Sequence, residues 1–114
     1  MAYRINNVGI DCNDLRAMTE FWQAVTGYET DSSGNGYVYL KAADGSFGLF
    51  MQKVPEARSE KNRLHLDIAV DDVDVAVKEV TGLGAREVAR HGKEGEQWSV
   101  LADPEGNQFC LVPA

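Results

Sequence analysis

The sequence predicts an α+β fold: two βαβββ modules in tandem forming one curved mixed sheet, with a concave cup and with the helices on its convex face. Three observations predict it. Short segments alternate apolar and polar residues with period two, as half-buried strands do. Two longer segments repeat apolar residues at helical spacing, Leu15, Met18, Phe21, Trp22 and Val25 in one and Val73, Ala76, Val77, Val80 and Leu83 in the other. The plan then repeats at an offset of 58 residues: Asn7 falls on His65, Ile10 on Ile68, Asp14 on Asp72, Trp22 on Val80, Gln52 on Cys110 and Pro55 on Pro113. Identity across the repeat is low, but the same offset holds at both ends. The modules span about 4–54 and 63–112, with 55–62 as a polar surface linker, inside a single domain over 1–114.

Taken in order, Tyr3 to Cys12 alternates as a strand, and Asp14 is placed to cap the helix that Gly27 stops. Tyr28–Thr30 and Tyr37–Lys41 read as strands joined by a turn over Ser32 to Gly36, Asp44-Gly45 marks the next turn, and Phe47–Lys53 is the last strand of the first half. In the second half Arg63–Val70 alternates, with Leu64, Leu66, Ile68 and Val70 on one face. Asp71-Asp72 caps the second helix and Gly84 ends it. Ala85–Arg90 is a strand and His91 to Glu96 a charged turn. Gln97–Ala102 and Gln108–Val112 are strands joined across Asp103-Pro104-Glu105-Gly106.

Parity sorts the strand residues. Val8, Ile10, Leu66, Ile68, Phe109 and Leu111 face the helices, while Asn7, Gly9, Asp11, Phe50, Gln52, His65, Asp67, Gln108 and Cys110 face the other way. A mixed polar and aromatic surface suits a small-ligand site; the bland alternative is the solvated side of an open sheet.

Composition narrows the partners. Eleven basic against eighteen acidic residues give a net charge of −7, which repels nucleic-acid phosphates and anionic membranes. No apolar run approaches the roughly 20 residues of a membrane span, and no secretory h-region is visible. Cys12 and Cys110 do not make a disulfide framework, and Cys12 lies on the helix-facing parity. A cytoplasmic protein is expected.

Several segments carry a family resemblance: Asp14-Leu15 with Phe21-Trp22 and Gly27; Leu64-His65-Leu66-Asp67 running into Val70-Asp71-Asp72-Val73; Leu83-Gly84-Ala85; and Ala102-Asp103-Pro104-Glu105-Gly106-Asn107 before the last strand. On these the chain resembles the vicinal oxygen chelate superfamily, which includes glyoxalase I, extradiol dioxygenases and the bleomycin- and fosfomycin-resistance proteins, and within it a glyoxalase-like subgroup. The resemblance implies small-molecule ligands, a homodimer, and in the metal-dependent members a divalent ion held from the first and last strand of each module. Those positions are Asn7, Gln52, His65 and Cys110. The family places mostly His and Glu there, whereas this chain keeps one His and has Gln and Cys at the carboxylate positions. Neutral amides are weak donors for such an ion, so no cofactor is expected, and a divalent metal at these four positions is the alternative.

The candidate ligand-binding residues are therefore Asn7, Asp11, Phe50, Gln52, His65, Asp67, Trp98 and Cys110, with Tyr37 and Tyr39 as further aromatic candidates. His65 and Asp67 are the catalytic candidates if the protein is an enzyme: two residues apart on a strand, roughly 7 Å, they can pair as an acid–base unit. The structural alternatives are a hydrogen-bonded core histidine, and an Asp67 paired with Arg63 or Lys53. Cys110 reads as a small buried hydrophobe unless His65 serves it as a base. Three functions remain open: metal-free binding of a small aromatic or amphipathic molecule in the cup, a lyase, isomerase or dioxygenase-type enzyme with atypical ligands or metal-free acid–base chemistry, and an interaction role with the cup vestigial.

Overall fold

The structure, a computed structural model, describes residues 6–60, 62 and 64–114. In chain order it contains β1 (Asn7–Cys12), α1 (Leu15–Thr26), β2 (Glu29–Gly34), β3 (Tyr37–Lys41), β4 (Gly48–Lys53), β5 (Asp67–Val70), α2 (Val73–Gly82), β6 (Arg86–His91), β7 (Trp98–Ala102) and β8 (Gln108–Pro113). This is the βαβββ plan twice. The chain divides into two compact units, Met1–Ala57 and Arg58–Ala114, and backbone pairing gives one four-stranded sheet to each, ordered β1-β4-β3-β2 and β5-β8-β7-β6. In both, the first strand pairs parallel with the last and the other pairings are antiparallel. A parallel pair needs a long crossover, and the helix lies within it.

In module one, Asp14 starts α1 by accepting the Ala17 N–H on its side chain at 3.0 Å. Gly27 ends it at φ 73°, returning its N–H to the Gln23 carbonyl, a left-handed geometry in which a Cβ is strained. The helix buries Met18, Phe21 and Trp22, the last two edge-to-face at 5.2 Å. Cys12, Leu40, Leu49 and Met51 complete the buried set on the strands. In module two, Asp72 caps α2 through Val75 N. Ala76, Val77 and Val80 are buried with Leu101, Phe109 and Leu111. Each fully buried side chain of this size contributes about 1.5–3 kcal/mol. The Asp103 carboxylate is buried in the last turn and accepts from Glu105 N, Asn107 N and Asn107 Nδ2, which explains why that turn wants an acid.

Four expectations are corrected. Ser32 to Gly34 is strand, not turn: Gly34 faces Tyr37 and Ser32 faces Tyr39 across a hairpin whose loop is Asn35-Gly36, with Gly36 at φ 86°. An edge strand tolerates this composition because its partner supplies the ladder. His91 likewise belongs to β6, facing Trp98, and not to the turn. Leu83 is the C-cap of α2 and 46% exposed; the helical period stops counting once the chain leaves the helix.

The fourth correction shapes the site. The strand expected over 63–70 begins only at Asp67, and Leu64 is 88% exposed. Cys110 N–H still reaches the Leu66 carbonyl at 2.8 Å. One step earlier the side chain of Asn62 takes over: its Oδ1 accepts the Gln108 N–H at 2.8 Å and its Nδ2 donates to the Gln108 carbonyl at 3.2 Å. The same Nδ2 donates to the Leu64 carbonyl. An amide side chain thus stands where strand backbone was expected, and His65 lies ahead of the strand. Tyr3 to Ile5 and Arg63, also read as strand, lie outside the described residues.

Candidate functional site

In module two, cross-strand register assigns the faces. Residues directly opposite one another project to the same side. Asp67 faces Cys110, Cys110 faces Val100, and His91 faces Trp98. These project from the sheet face opposite to that of the buried Phe109, Leu111, Ser99 and Leu101. A pocket of about 470 Å³ opens on this side, lined among others by His65, Asp67, His91, Trp98, Gln108 and Cys110.

The pocket has an aromatic part and a polar part. The His91 and Trp98 rings lie 5.5 Å apart at 35°, with Trp98 39% exposed. At the polar end His65 Nδ1 is 3.1 Å from Asp67 Oδ1, both partly exposed. His65 itself precedes β5, which begins at Asp67, and the two side chains bridge the roughly 7 Å between their positions. A proton on Nδ1 donates to the carboxylate and leaves Nε2 as the basic nitrogen. Cys110, buried and not in a disulfide, completes the cluster: one donor atom from each of His65, Asp67 and Cys110 lies within 4.8 Å of the others.

Module one places its candidates on one sheet face, of different character. Gly9 faces Phe50, Phe50 faces Tyr39, and Gln52 faces both Asp11 and Tyr37. Tyr37 stacks on Phe50 at 5.7 Å and 24°. Asn7 shares this parity but faces Gly48, four residues before Gln52, an along-strand offset of about 13 Å.

That register tests the family's metal positions. Two neutral amides about 13 Å apart along the sheet cannot enter one coordination sphere, and the carboxylate that the family places on the last strand is the Cys110 thiol. The four-position centre does not fit these residues.

The sequence pairs His65 with Asp67 but carries no sign that Asp67 is the register neighbour of Cys110, and its pattern places His91 in a turn where the structure has it in β6. Both depend on cross-strand register, for which no local signal exists. On the helix side of module two, Ser99 Oγ donates to Glu87 Oε2 at 2.6 Å, and Arg90 bridges Glu87 and Asp74. The Ser99 hydrogen bond first, and the Arg90 contacts after it, hold the Glu87 carboxyl below its ordinary value. The two carboxylates in turn hold Arg90 above its own.

Two tandem βαβββ modules, each with a parallel outer pair and an antiparallel meander, define the vicinal oxygen chelate fold. The sequence model of the glyoxalase-like domain matches residues 7–112, and the chain belongs to that family. No curated protein matches it. Among solved structures it is similar to a glyoxalase/bleomycin resistance protein/dioxygenase family enzyme from Burkholderia phytofirmans, at 20% identity over 97% of this chain and 98% of that one, with a TM-score of 0.77. It is similar to the fosfomycin resistance protein FosX from Mesorhizobium loti, at 16% identity over 100% and 94%, TM-score 0.78. It is also similar to FosX from Listeria monocytogenes complexed with Mn(II) and sulfate ion, at 15% identity over 100% and 92%, TM-score 0.82. At these identities the likeness concerns the fold. Among the described residues no helix is long and apolar enough to cross a membrane.

Proposed function

We propose that the protein binds a small aromatic or amphipathic organic molecule against the exposed sheet face of module two, without a catalytic metal at the four family positions. The pocket beside Trp98 carries this reading: about 470 Å³ suits a small ligand, and the His91–Trp98 pair offers a surface on which a flat group stacks. Module one's candidates, Asn7, Asp11, Phe50 and Gln52, remain part of the proposal on their own face. The homodimer implied by the family, to be checked by light scattering, and a cytoplasmic location belong to the same proposal.

Ligand-observed NMR against aromatic and amphipathic fragments, in chelator, tests the reading. Hits that quench tryptophan emission in the wild type and are lost in Trp98→Ala are expected; Trp22 is buried and serves as the internal reference. Binding unchanged in Trp98→Ala would refute it.

The 3.1 Å His65–Asp67 contact favours a second reading: metal-free proton transfer next to a carbonyl or enol of the bound molecule. With a substrate in hand, His65→Ala and Asp67→Asn would then lower turnover far more than binding.

A further inference from the structure

The two cysteines of the chain stand in different settings. Cys12 is 1% exposed and donates its S–H to the Gln52 carbonyl at 3.5 Å. Cys110 lines the pocket of module two, and its sulfur, a ring nitrogen of His65 and a carboxylate oxygen of Asp67 lie within 4.8 Å of one another. We propose that these three residues form a thiol–imidazole–carboxylate triad, which adds the Cys110 sulfur to small electrophilic alkenes conjugated to a carbonyl.

A nucleophilic cysteine needs a base near its sulfur and a group that orients the base. His65 Nδ1 stands 3.1 Å from Asp67 Oδ1, so the carboxylate holds the Nδ1 proton and leaves Nε2 to accept another. Asp67 is therefore the positioning residue and His65 the base. Asp67 and Cys110 are fixed opposite each other in the β5–β8 register. His65, ahead of β5 and partly exposed, is the member with room to close on the sulfur when a ligand enters. Charge fits the same order. A thiolate beside the Asp67 carboxylate is repelled unless a positive charge stands with them, and the imidazolium made by taking the thiol proton is that charge. The thiolate thus forms together with the imidazolium.

The substrate class follows from what these groups supply. The S–H bond breaks and its proton passes to His65. The sulfur's electron pair forms a C–S bond to the β-carbon, and the C=C π pair moves toward the carbonyl as an enolate. The imidazolium then returns the proton to the α-carbon. Atoms and electrons balance with no oxidant and no second reactant. The His91–Trp98 pair in the same pocket favours an alkene that carries an aromatic ring; for that preference, and for nothing else, the proposal rests on the ligand-binding reading above.

The test follows alkylation of the full-length protein by acrylamide and by N-phenylacrylamide with intact-mass and peptide mass spectrometry. The expected result is one adduct per chain, at Cys110, formed by acrylamide about tenfold or more faster than glutathione forms it at the same pH. Cys12→Ala should leave that rate unchanged. His65→Ala should lower it about tenfold or more, with partial rescue by added imidazole. Asp67→Asn should lower the rate and move the 15N shifts of the His65 ring, which report a protonated Nδ1 in the wild type. An acrylamide rate no faster than that of glutathione, an adduct at Cys12 instead, or an unchanged rate in His65→Ala or Asp67→Asn would each overturn the triad. N-phenylacrylamide, normalised to its own rate with glutathione, should react faster than acrylamide. Fast acrylamide addition without that preference would overturn the aromatic reading of the pocket and leave the triad; fragment binding with slow alkylation would do the reverse.

Discussion

Modules one and two share element order, capped helices and sheet topology, yet their exposed faces carry different chemistry. In module one that face is an aromatic cluster of Tyr37, Tyr39 and Phe50 with amide and acid neighbours. In module two it is an imidazole, a carboxylate and a thiol beside His91 and Trp98. The offset of 58 places the first strands but not the last: Gly9 faces Phe50 whereas its counterpart Asp67 faces Cys110, so the structural counterpart of Cys110 is Phe50 and not Gln52. The two-residue difference keeps every side chain on its expected face, since strand parity has period two. A duplicated plan thus keeps its core and its register while the exposed face exchanges an aromatic ring for a thiol.

The largest expected break in this symmetry is in the cores. Trp22→Ala in α1 should cost about 3–5 kcal/mol, while its repeat counterpart Val80→Ala in α2 should cost roughly 2 kcal/mol. Urea midpoints of the two variants measure the difference, and equal losses would mean that the modules are packed more alike than their buried side chains indicate.

Next comes the start of the parallel pair. In module one Gly48 N–H bonds directly to the Asn6 carbonyl. In module two the corresponding partner of Gln108 is the Asn62 side chain. Asn62→Ala should destabilise by about 1 kcal/mol through the part-buried Gln108 backbone groups left unpaired. It should also raise hydrogen exchange at Gln108 and broaden the His65 ring signals, while the Gly48 amide stays unchanged.

The smallest effect concerns acid. Module two carries the charged chain Ser99–Glu87–Arg90–Asp74, whereas in module one the neutral pair Gln23–Thr30 links α1 to β2. Glu87 is held below its ordinary 4.5. Its contribution is therefore full above that value in the unfolded chain and is lost as pH falls through the lower folded value. Wild type should lose more stability on acidification below about pH 4.5 than Glu87→Gln does, as read from thermal midpoints across pH. Parallel curves for the two proteins would remove Glu87 from the account.

Much of the fold was legible because its signals are local. Asp14, Gly27 and Asp72 announce their helix ends, Asp103 to Gly106 announces its turn, and parity sorted Phe109 and Leu111 from Cys110. What escaped depended on partners distant in sequence. Ser32 to Gly34 is strand because Tyr37 to Tyr39 is beside it. Residues 64–66 alternate correctly but fall outside the strand because Asn62 has taken the bonds of Gln108. His65 and Asp67 were legible as a pair; their convergence with Cys110 was not, since it exists only in the register between β5 and β8.

The parallel pairing of outer strands also has a consequence in time. A hairpin such as β2–β3 turns on the two residues Asn35 and Gly36 and closes within about 1–10 μs. The β5–β8 pair must join residues at opposite ends of its module, and pairing across such separations is slow because the loop-closure entropy is lost before the contacts form. The meander β6–β7–β8 is thus expected to precede it. Asp67 then reaches Cys110 among the last contacts made, and the donor cluster exists only in a module whose folding is complete.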